Sequence, residues 1–131
     1  MKVKLTVIAI QYNRPLGYSD GEYIKIFFTE ENKLPSVFVS TKNEKETLRG
    51  LFSKYFNVDY GWFEKEIFDF RIVSNDDGAF AESVYITYTP EVINMEKSGK
   101  FLTFQQMYDK NIELENFYES AITGSGKSTF R

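Results

Sequence analysis

The hydrophobic pattern of the first thirty residues predicts two strands. Over Lys2–Gln11, apolar residues first alternate with polar ones and then form a continuous run, which favours a central strand of a sheet. The segment Glu22–Thr29 carries a second β-favouring run. Two turn signals, Asn13–Gly17 and Ser19–Gly21, separate these predicted strands.

The stretch Leu34–Asp59 predicts a short strand, a turn and one amphipathic helix. Val37–Val39 is a β-favouring apolar run, and Asn43 is a suitable N-cap, with Glu46 three residues later as in a capping box. The predicted helix has an apolar face with the spacing i, i+3, i+4, i+7, formed by Leu48, Leu51, Phe52 and Tyr55. Asn57 is predicted to end the helix in place of a glycine.

The same stretch resembles the Nudix box, the strand–loop–helix element of the Nudix hydrolases. In that family, a leucine-proline-glycine-glycine strand leads into a helix that carries Arg-Glu-aliphatic-x-Glu-Glu-x-Gly-aliphatic. This chain keeps the frame of the box through Leu34-Pro35, Arg49 and Leu51. The family's three helix glutamates are replaced by Gly50, Ser53 and Lys54, and its two strand glycines by Ser36 and Val37. The turn is also about two residues shorter.

The resemblance implies a fold and also the loss of the family's hydrolytic activity. The family's glutamates hold divalent cations, which polarise a diphosphate and orient the attacking water. Lys54 places a positive charge there, and that charge would repel a cation. The resemblance therefore implies a Nudix-type α/β/α sandwich with a mixed β-sheet that has lost diphosphate hydrolysis. A purely local interpretation, an amphipathic helix packed on a core, explains Leu34–Asp59 equally well.

The segment after the box predicts a β-hairpin. Gly61–Val73 is a long β-favouring run, Ser74–Gly78 is a strong turn signal, and Glu82–Thr89 is the returning strand, which Pro90 stops. This order resembles the hairpin that follows the box in Nudix-related regulators of NAD metabolism.

The last third of the chain predicts two helices. Phe101–Lys110 suggests a short helix in which Thr103 is the cap, and Asn111–Thr123 suggests a C-terminal helix with Gly124 at its C-cap. Glu91–Gly99 has an ambiguous pattern that fits a loop. The resemblance covers residues 1–123, which we interpret as one Nudix-like domain.

Residues 124–131 form a separate segment with a phosphate-loop lookalike. Ala121–Ser128 fits a relaxed Walker A pattern through Gly124, Gly126, Lys127 and Ser128. A working phosphate loop links a strand to a helix, but the preceding residues here are predicted to be helical. Three interpretations stay open: a flexible Gly-Ser tail, the start of a truncated P-loop segment, or a nucleotide site within these residues.

Composition narrows the function classes. The 131 residues have a net charge of −3 and a pI of about 5.1, and no basic face indicates nucleic-acid binding. The chain has no cysteine and no histidine, which excludes disulfides, thiolate catalysis and histidine chemistry. No apolar run reaches membrane-spanning length and no signal-peptide pattern is present, so we expect a cytoplasmic protein. No cofactor and no metal site are predicted.

Five residues are candidates for ligand binding. Arg49 could pair with a phosphate, brace its helix against an acidic residue of a strand, or lie solvated on the helix. Arg71 could reach an anionic ligand, but a structural pair with Asp69 or Glu82 is the preferred interpretation. Glu82 could bind a cation together with the acidic turn residues. Tyr12 and Phe28 could stack on a base, although core packing is the safer assumption for such rings.

Three functions compete at this point. The resemblance favours a non-catalytic domain that binds a nucleotide diphosphate-type ligand such as ADP-ribose in a sensing or regulatory role. The second hypothesis is a protein-interaction or assembly module, as a homodimer or beside a neighbouring domain, possibly of a larger P-loop protein. The third is a divergent hydrolase that uses Glu44, Glu46 or Glu82, or part of a P-loop enzyme.

Overall fold

The part of the chain that the structure describes contains six strands and three α-helices. The computed structural model describes residues 2–12, 24–39 and 43–129, with side chains for all of these except Glu66 and residues 123–129. The elements in chain order are β1 Lys2–Tyr12, β2 Ile24–Thr29, β3 Ser36–Phe38, α1 Glu44–Tyr55, a 3₁₀ turn Tyr60–Trp62, β4 Glu64–Asn75, β5 Gly78–Pro90, β6 Gly99–Thr103, α2 Phe104–Asp109 and α3 Asn116–Thr129. The predicted turns at 13–17 and 19–21 lie outside the described residues.

All six strands form one mixed sheet in which β1 is central. The order is β4-β5-β1-β2-β6, and β3 also pairs with β1. β1 runs parallel to β5 along its whole length and antiparallel to β2 and β3. Lys4 lies opposite both Glu82 of β5 and Phe38 of β3. The predicted central strand is therefore confirmed.

The helices cover both faces of this sheet. Alternate residues of a strand point to opposite faces, so β1 sends Leu5, Val7 and Ala9 to the face covered by α1 and Ile8 and Ile10 to the other face. The α1 side is rich in aromatic rings, which include Phe27, Phe52, Phe56, Phe63 and Phe101. The opposite side packs against α2 and α3 through Met107 and Ala121. This layering positions the two surfaces considered below.

Helix α1 begins where the sequence predicts it and ends slightly earlier. The Oδ1 atom of Asn43 accepts a hydrogen bond from the Glu46 amide at 2.8 Å, which confirms the N-cap. The C-cap is Phe56 in an extended conformation, so the prediction that Asn57 ends the helix is wrong. The Asn57 side-chain amide instead donates to the carbonyls of Asn94 and Glu96. These bonds hold the segment after α1 against the loop before β6.

The sequence did not predict strand β6. It pairs antiparallel with β2, with Phe101 opposite Phe27. The helix α2 that follows has a complete capping box, in which Thr103 and Gln106 bond each other's backbone amides, as the sequence predicts. The aromatic segment Gly99–Thr103 is thus the edge strand that leads into a short helix.

The boundaries of α3 differ from the predicted ones. The helix begins at Asn116 instead of Asn111 and continues to Thr129, so Gly124 is not its C-cap. Gly124, Gly126, Lys127 and Ser128 lie within the backbone of this helix instead of in a loop between a strand and a helix. None of the helices in the described ranges combines the length and apolar character needed to cross a bilayer.

Candidate functional site

The outward face of α1 carries the residues that correspond to the missing glutamates. Gly50, Ser53 and Lys54 are all exposed, whereas Leu48, Leu51, Phe52 and Tyr55 are buried on the other side of the helix. A Cβ atom added at Gly50 would meet nothing within 4 Å. The face that the Nudix resemblance assigns to metal binding is therefore open and bears one positive charge and no carboxylate at these three positions.

This helix face forms one wall of a groove. The groove lies between α1 and β3, has a volume of about 530 Å³ and is lined by Ser36, Val37, Phe38, Glu46, Thr47, Gly50, Leu51 and Lys54. The Lys54 ammonium lies 5.3 Å from the ring centroid of Tyr55 and has no ion-pair partner in the described part of the chain. Within residues 2–12, 24–39 and 43–129, no three acidic side chains come together as a metal-binding group. Among the described residues that line the groove, Glu46 is the only one with a carboxylate.

Arg49 points away from this groove. It is exposed, and its guanidinium carbon lies 5.9 Å from the ring centroid of Tyr60. Contact with an aromatic ring is a favourable but weak interaction for an exposed arginine. The ring contact is not the predicted bracing against a strand acid, and phosphate binding by Arg49 stays a prediction.

A buried carboxylate lies on the opposite face of the sheet. Glu82 of β5 is only 1% exposed and accepts three hydrogen bonds from protein side chains. Thr6 Oγ1 donates to Oε2 at 2.5 Å, the Tyr118 hydroxyl donates to Oε2 at 2.6 Å, and Arg71 Nε donates to Oε1 at 2.8 Å. Four elements, β1, β4, β5 and α3, thus meet at one carboxylate.

These contacts keep Glu82 ionised. Burial by itself raises the pKa of a carboxyl group, but the hydrogen bonds from Thr6, Tyr118 and Arg71 outweigh it and hold the pKa of Glu82 below its ordinary value. Burial, followed by the bond to Glu82, raises the pKa of the Tyr118 hydroxyl. Tyr118 therefore stays protonated and remains a donor at neutral pH.

Arg71 connects this carboxylate to solvent. Its Nη1 atom donates to Glu115 at 2.9 Å, and this bond raises the pKa of Arg71. The guanidinium also lies over the rings of Phe117 and Tyr118, at 4.4 and 5.3 Å from their centroids. The predicted structural pair of Arg71 with Glu82 is confirmed, and a role of either residue in ligand binding stays a prediction.

A small cavity borders the same network. It has a volume of about 250 Å³, and Thr6, Tyr118, Phe28, Lys4 and Lys33 are among its lining residues. Phe28 is 2% exposed and packs in the core of the α3 side, so only part of its ring borders the cavity. The structure thus brings Phe28 close to the network of Glu82 and Arg71.

The other predicted site residues lie elsewhere. Tyr12 is at the far end of β1, opposite Pro90, and packs against the α3-side core. The side chains of Gly124, Gly126, Lys127 and Ser128 are outside the described residues. Glu44 accepts a hydrogen bond from the Tyr85 hydroxyl, and this bond and burial raise the pKa of Tyr85, burial having the larger effect. Glu44, Glu46 and Glu82 therefore do not form one cluster.

Sequence reasoning missed Thr6, Tyr118 and Glu115 as partners of the buried pair. No local motif marks them, since Thr6 lies 76 positions and Tyr118 lies 36 positions from Glu82 in the chain. One available signal was the single threonine inside the apolar run of β1. A polar residue on a buried strand face requires a hydrogen-bond partner.

Comparison with solved structures identifies the fold. A C. elegans Ap4A hydrolase in a binary complex matches with a TM-score of 0.63 at 6% identity, over 98% of both chains. The NUDIX domain of Shewanella oneidensis NrtR complexed with ADP ribose matches with a TM-score of 0.63 at 12% identity, over 97% of this chain and 87% of that one. The complex between the C-terminal domain of mouse MUTYH and human PCNA matches with a TM-score of 0.60 at 9% identity, over 98% and 90%.

The chain is a Nudix-like domain by its fold. The mixed sheet between helices is shared with the Ap4A hydrolase and with the NrtR domain, which confirms the predicted α/β class and the Nudix-type architecture. No protein-family model matches the sequence, and no curated protein matches it. Identities of this size establish the fold alone.

Proposed function

We propose that this chain is a non-catalytic Nudix-like domain that binds a nucleoside diphosphate derivative such as ADP-ribose in a sensing or regulatory role. The observation that carries this proposal is Lys54, which lines the groove beside α1 where the family resemblance places a metal-binding glutamate. In this proposal, the lysine ammonium contacts the diphosphate directly, at the place where the family uses a metal ion.

The positive charge of Lys54 supports the proposal that this lysine binds the diphosphate in place of a metal ion. A diphosphate is an anion, and a lysine ammonium is a compact charge with three hydrogen-bond donors. Lys54 has no acidic partner in the described part of the chain, so an incoming phosphate does not have to displace one. With Gly50 and Ser53 at the other two positions, the family's metal-assisted route lacks the three glutamates that it uses on this helix.

Size and fold give further support. The groove of about 530 Å³ falls within the range of small-molecule sites, about 300–1,000 Å³. The NrtR domain, which has the same fold, was solved as a complex with ADP ribose. That ligand belongs to NrtR, and it makes ADP-ribose the first compound to test here.

A protein-interaction module is the second candidate. The edge strand β4 exposes three large apolar side chains, Ile67, Phe70 and Ile72, which are 60%, 64% and 53% exposed. Exposed apolar side chains on an edge strand favour docking of another protein or a neighbouring domain. The MUTYH domain, which has a similar fold, was solved as a complex with PCNA.

The test is calorimetric titration with ADP-ribose in the presence of EDTA and then of magnesium. The wild-type protein should bind in both conditions with the same affinity and without turnover. A ligand at a hundred times its dissociation constant adds about 2.7 kcal/mol of stability, which thermal unfolding should show as a shift of several degrees. Lys54→Ala should weaken binding at least about tenfold, since it removes a charged hydrogen bond.

Lys45→Ala is the matched control, because Lys45 is an exposed lysine of α1 that does not line the groove. It should bind like the wild type. Binding that requires magnesium, or cleavage to AMP and ribose 5-phosphate, would overturn the proposal in favour of a divergent hydrolase. Absence of binding under both conditions would favour the interaction module.

A further inference from the structure

The outer strand β4 has an open edge along its second half. It is a terminal strand of the sheet and, within the described part of the chain, pairs with β5 on one side only. A bulge interrupts this pairing between Ile67 and Asp69, and the ladder is then regular from Asp69 to Asn75. This straight segment, residues 69–75, is called the β4 edge below. An edge strand offers a row of unpaired backbone N–H and C=O groups to another chain.

The turn after β4 determines which residues of the β4 edge have unpaired backbone groups. Asn75 lies opposite Gly78, so only two residues form the turn. Such a turn closes on a hydrogen-bonded pair, and bonded and non-bonded pairs then alternate along the hairpin. The residues that direct their N–H and C=O groups away from β5 are therefore Phe70, Ile72 and Ser74. In agreement, the Phe70 amide donates to the exposed Asp69 carboxylate at 2.7 Å, which an incoming strand can replace.

Two of these residues also carry exposed apolar side chains. Phe70 and Ile72 are both more than half exposed. Their side chains share a face of the sheet with Ala81 and Val3, since Ile72 is opposite Ala81 and Ala81 is opposite Val3. Ala81 and Val3 are only half-buried, so the apolar surface continues inward from the edge. A strand that pairs here would gain backbone hydrogen bonds and would also cover apolar side chains.

The β4 edge is complementary to a second copy of itself. In antiparallel pairing about a two-fold axis, residues at equal distances on either side of the axis lie opposite each other. The centre of residues 69–75 is Ile72, which therefore lies opposite Ile72 of the second copy. The other opposed pairs are Phe70 with Ser74, Arg71 with Val73, and Asp69 with Asn75. No two like charges are opposed in this register, and Phe70 and Ile72 line the same face of both copies.

The neighbouring registers are less favourable. A two-fold axis at Arg71 would place this arginine opposite its own copy, and like charges directly opposite each other destabilise a sheet. An axis at Phe70 would bring the bulge between Ile67 and Asp69 into the new ladder, where the bulged backbone does not match a regular strand. The straight length of the β4 edge and its charges therefore both select the axis at Ile72.

We infer that the β4 edge pairs with the β4 edge of a second copy of this chain, with Ile72 on the two-fold axis. The two sheets then form one continuous sheet. Because the pairing occupies the β4 edge of both copies, assembly through this surface stops at a dimer. The inference does not depend on nucleotide binding, and it assigns to a second copy the strand considered above for docking of another protein.

Sedimentation velocity tests whether the chain is a dimer. The wild type should sediment with twice the 15.3 kDa mass of one chain. Ile72→Glu should sediment as a monomer, because it places two carboxylates opposite each other on the axis. Its circular dichroism should match the wild type, since Ile72 is exposed in the single chain. Ile93→Glu is the matched control, because Ile93 is 87% exposed and lies outside β4, and it should stay dimeric.

Disulfide trapping tests the register. The chain has no cysteine, so a single introduced cysteine reports only on its own position. Ile72→Cys should form a linked dimer on oxidation, because the Cα atoms of a hydrogen-bonded pair are about 5.5 Å apart, within disulfide reach. Ser74→Cys is the control on the same strand. In this register the two copies of residue 74 are four positions apart, about 13 Å along the strands, and should not link.

Three outcomes would overturn the inference. A wild type that sediments as a monomer excludes the dimer, and binding of a different protein through β4 would then favour the interaction module. A dimer that survives Ile72→Glu has its interface elsewhere. Linking of Ser74→Cys without linking of Ile72→Cys would place the two-fold axis at another residue. None of these results affects the proposed function, which calorimetry with ADP-ribose tests separately.

Discussion

Arg71 and Glu82 lie directly opposite each other on β4 and β5, joined by a hydrogen bond of 2.8 Å between Nε and Oε1. The two ends of this pair have different environments, since the Arg71 side chain is 26% exposed and the Glu82 side chain is 1% exposed. The pair therefore connects the surface of the sheet to a carboxylate inside it. The pair therefore stabilises the fold only while Glu82 keeps its three hydrogen-bond donors.

Removal of Arg71 should destabilise the protein strongly. Arg71→Met keeps an apolar side chain against Phe117 but leaves the Glu82 carboxylate without its cation. A buried charge left without its partner costs about 3 kcal/mol. Glu115→Gln, which alters the 60% exposed partner of the same arginine, should cost less than about 1 kcal/mol. Urea denaturation measures both, and equal losses would contradict the asymmetry of the network.

Acid should remove the stabilisation that Glu82 provides. The pKa of Glu82 is lower in the folded protein than its ordinary value of 4.5, so its contribution is present above that pH and is lost as pH falls below it through the folded-state pKa. The free energy of unfolding should therefore fall less steeply in acid for Glu82→Gln than for the wild type. Denaturation between pH 7 and pH 2 measures the difference. A constant difference at all pH values would show that folding leaves the pKa of Glu82 unchanged.

Gly50→Ala should stabilise the protein. Gly50 lies inside α1 on its exposed face, where an added Cβ meets nothing within 4 Å. Alanine in a helix interior is favoured over glycine by about 0.5–1 kcal/mol, because glycine loses more backbone freedom on folding. Urea denaturation should show this gain. A loss of stability would mean that the helix face at Gly50 is covered in solution.

Gly99→Ala should have the opposite effect. A Cβ atom at this position would overlap with the Phe28 carbonyl oxygen and the end of the Phe27 ring. The Phe28 backbone is fixed by its pairing with β6, so the clash cannot be relieved by a side-chain rotation there. Overpacking of this kind costs about 1–3 kcal/mol. A variant as stable as the wild type would contradict the close approach of β6 to β2.

Local signals explain which elements could be predicted from the sequence. The N-caps Asn43 and Thr103 each accept a hydrogen bond from an amide three residues later, so the spacing in the sequence is enough to predict them. Strand β6 depends on its pairing with β2, and no local pattern distinguishes Phe101–Thr103 from the start of a helix. The start of α3 was predicted five residues early because Ile112 and Leu114 belong to the α3-side core without being helical.

The site was predictable to the same limited extent. Arg71 and Glu82 face each other across a tight hairpin, so their pairing follows from the turn at Asp76 and Asp77. The positions of Lys54 and Gly50 follow from the helical period. The contact between the rings of Phe38 on β3 and Phe80 on β5 follows only from the sheet register, because β1 separates the two strands and no local pattern links them.

The parallel pairing of β1 with β5 also determines when this chain can fold. Lys2 pairs with Phe80 and Tyr12 with Pro90, so each residue of β1 has to wait for its partner in β5 until another 78 residues have been synthesised. Thr6 and Glu82, 76 positions apart, meet only after that loop closes. The chain loses conformational entropy when this loop closes, before the contacts between β1 and β5 can stabilise it. This order of events slows folding. During synthesis, the apolar run of β1 is thus an exposed segment that depends on rapid completion or on chaperone protection.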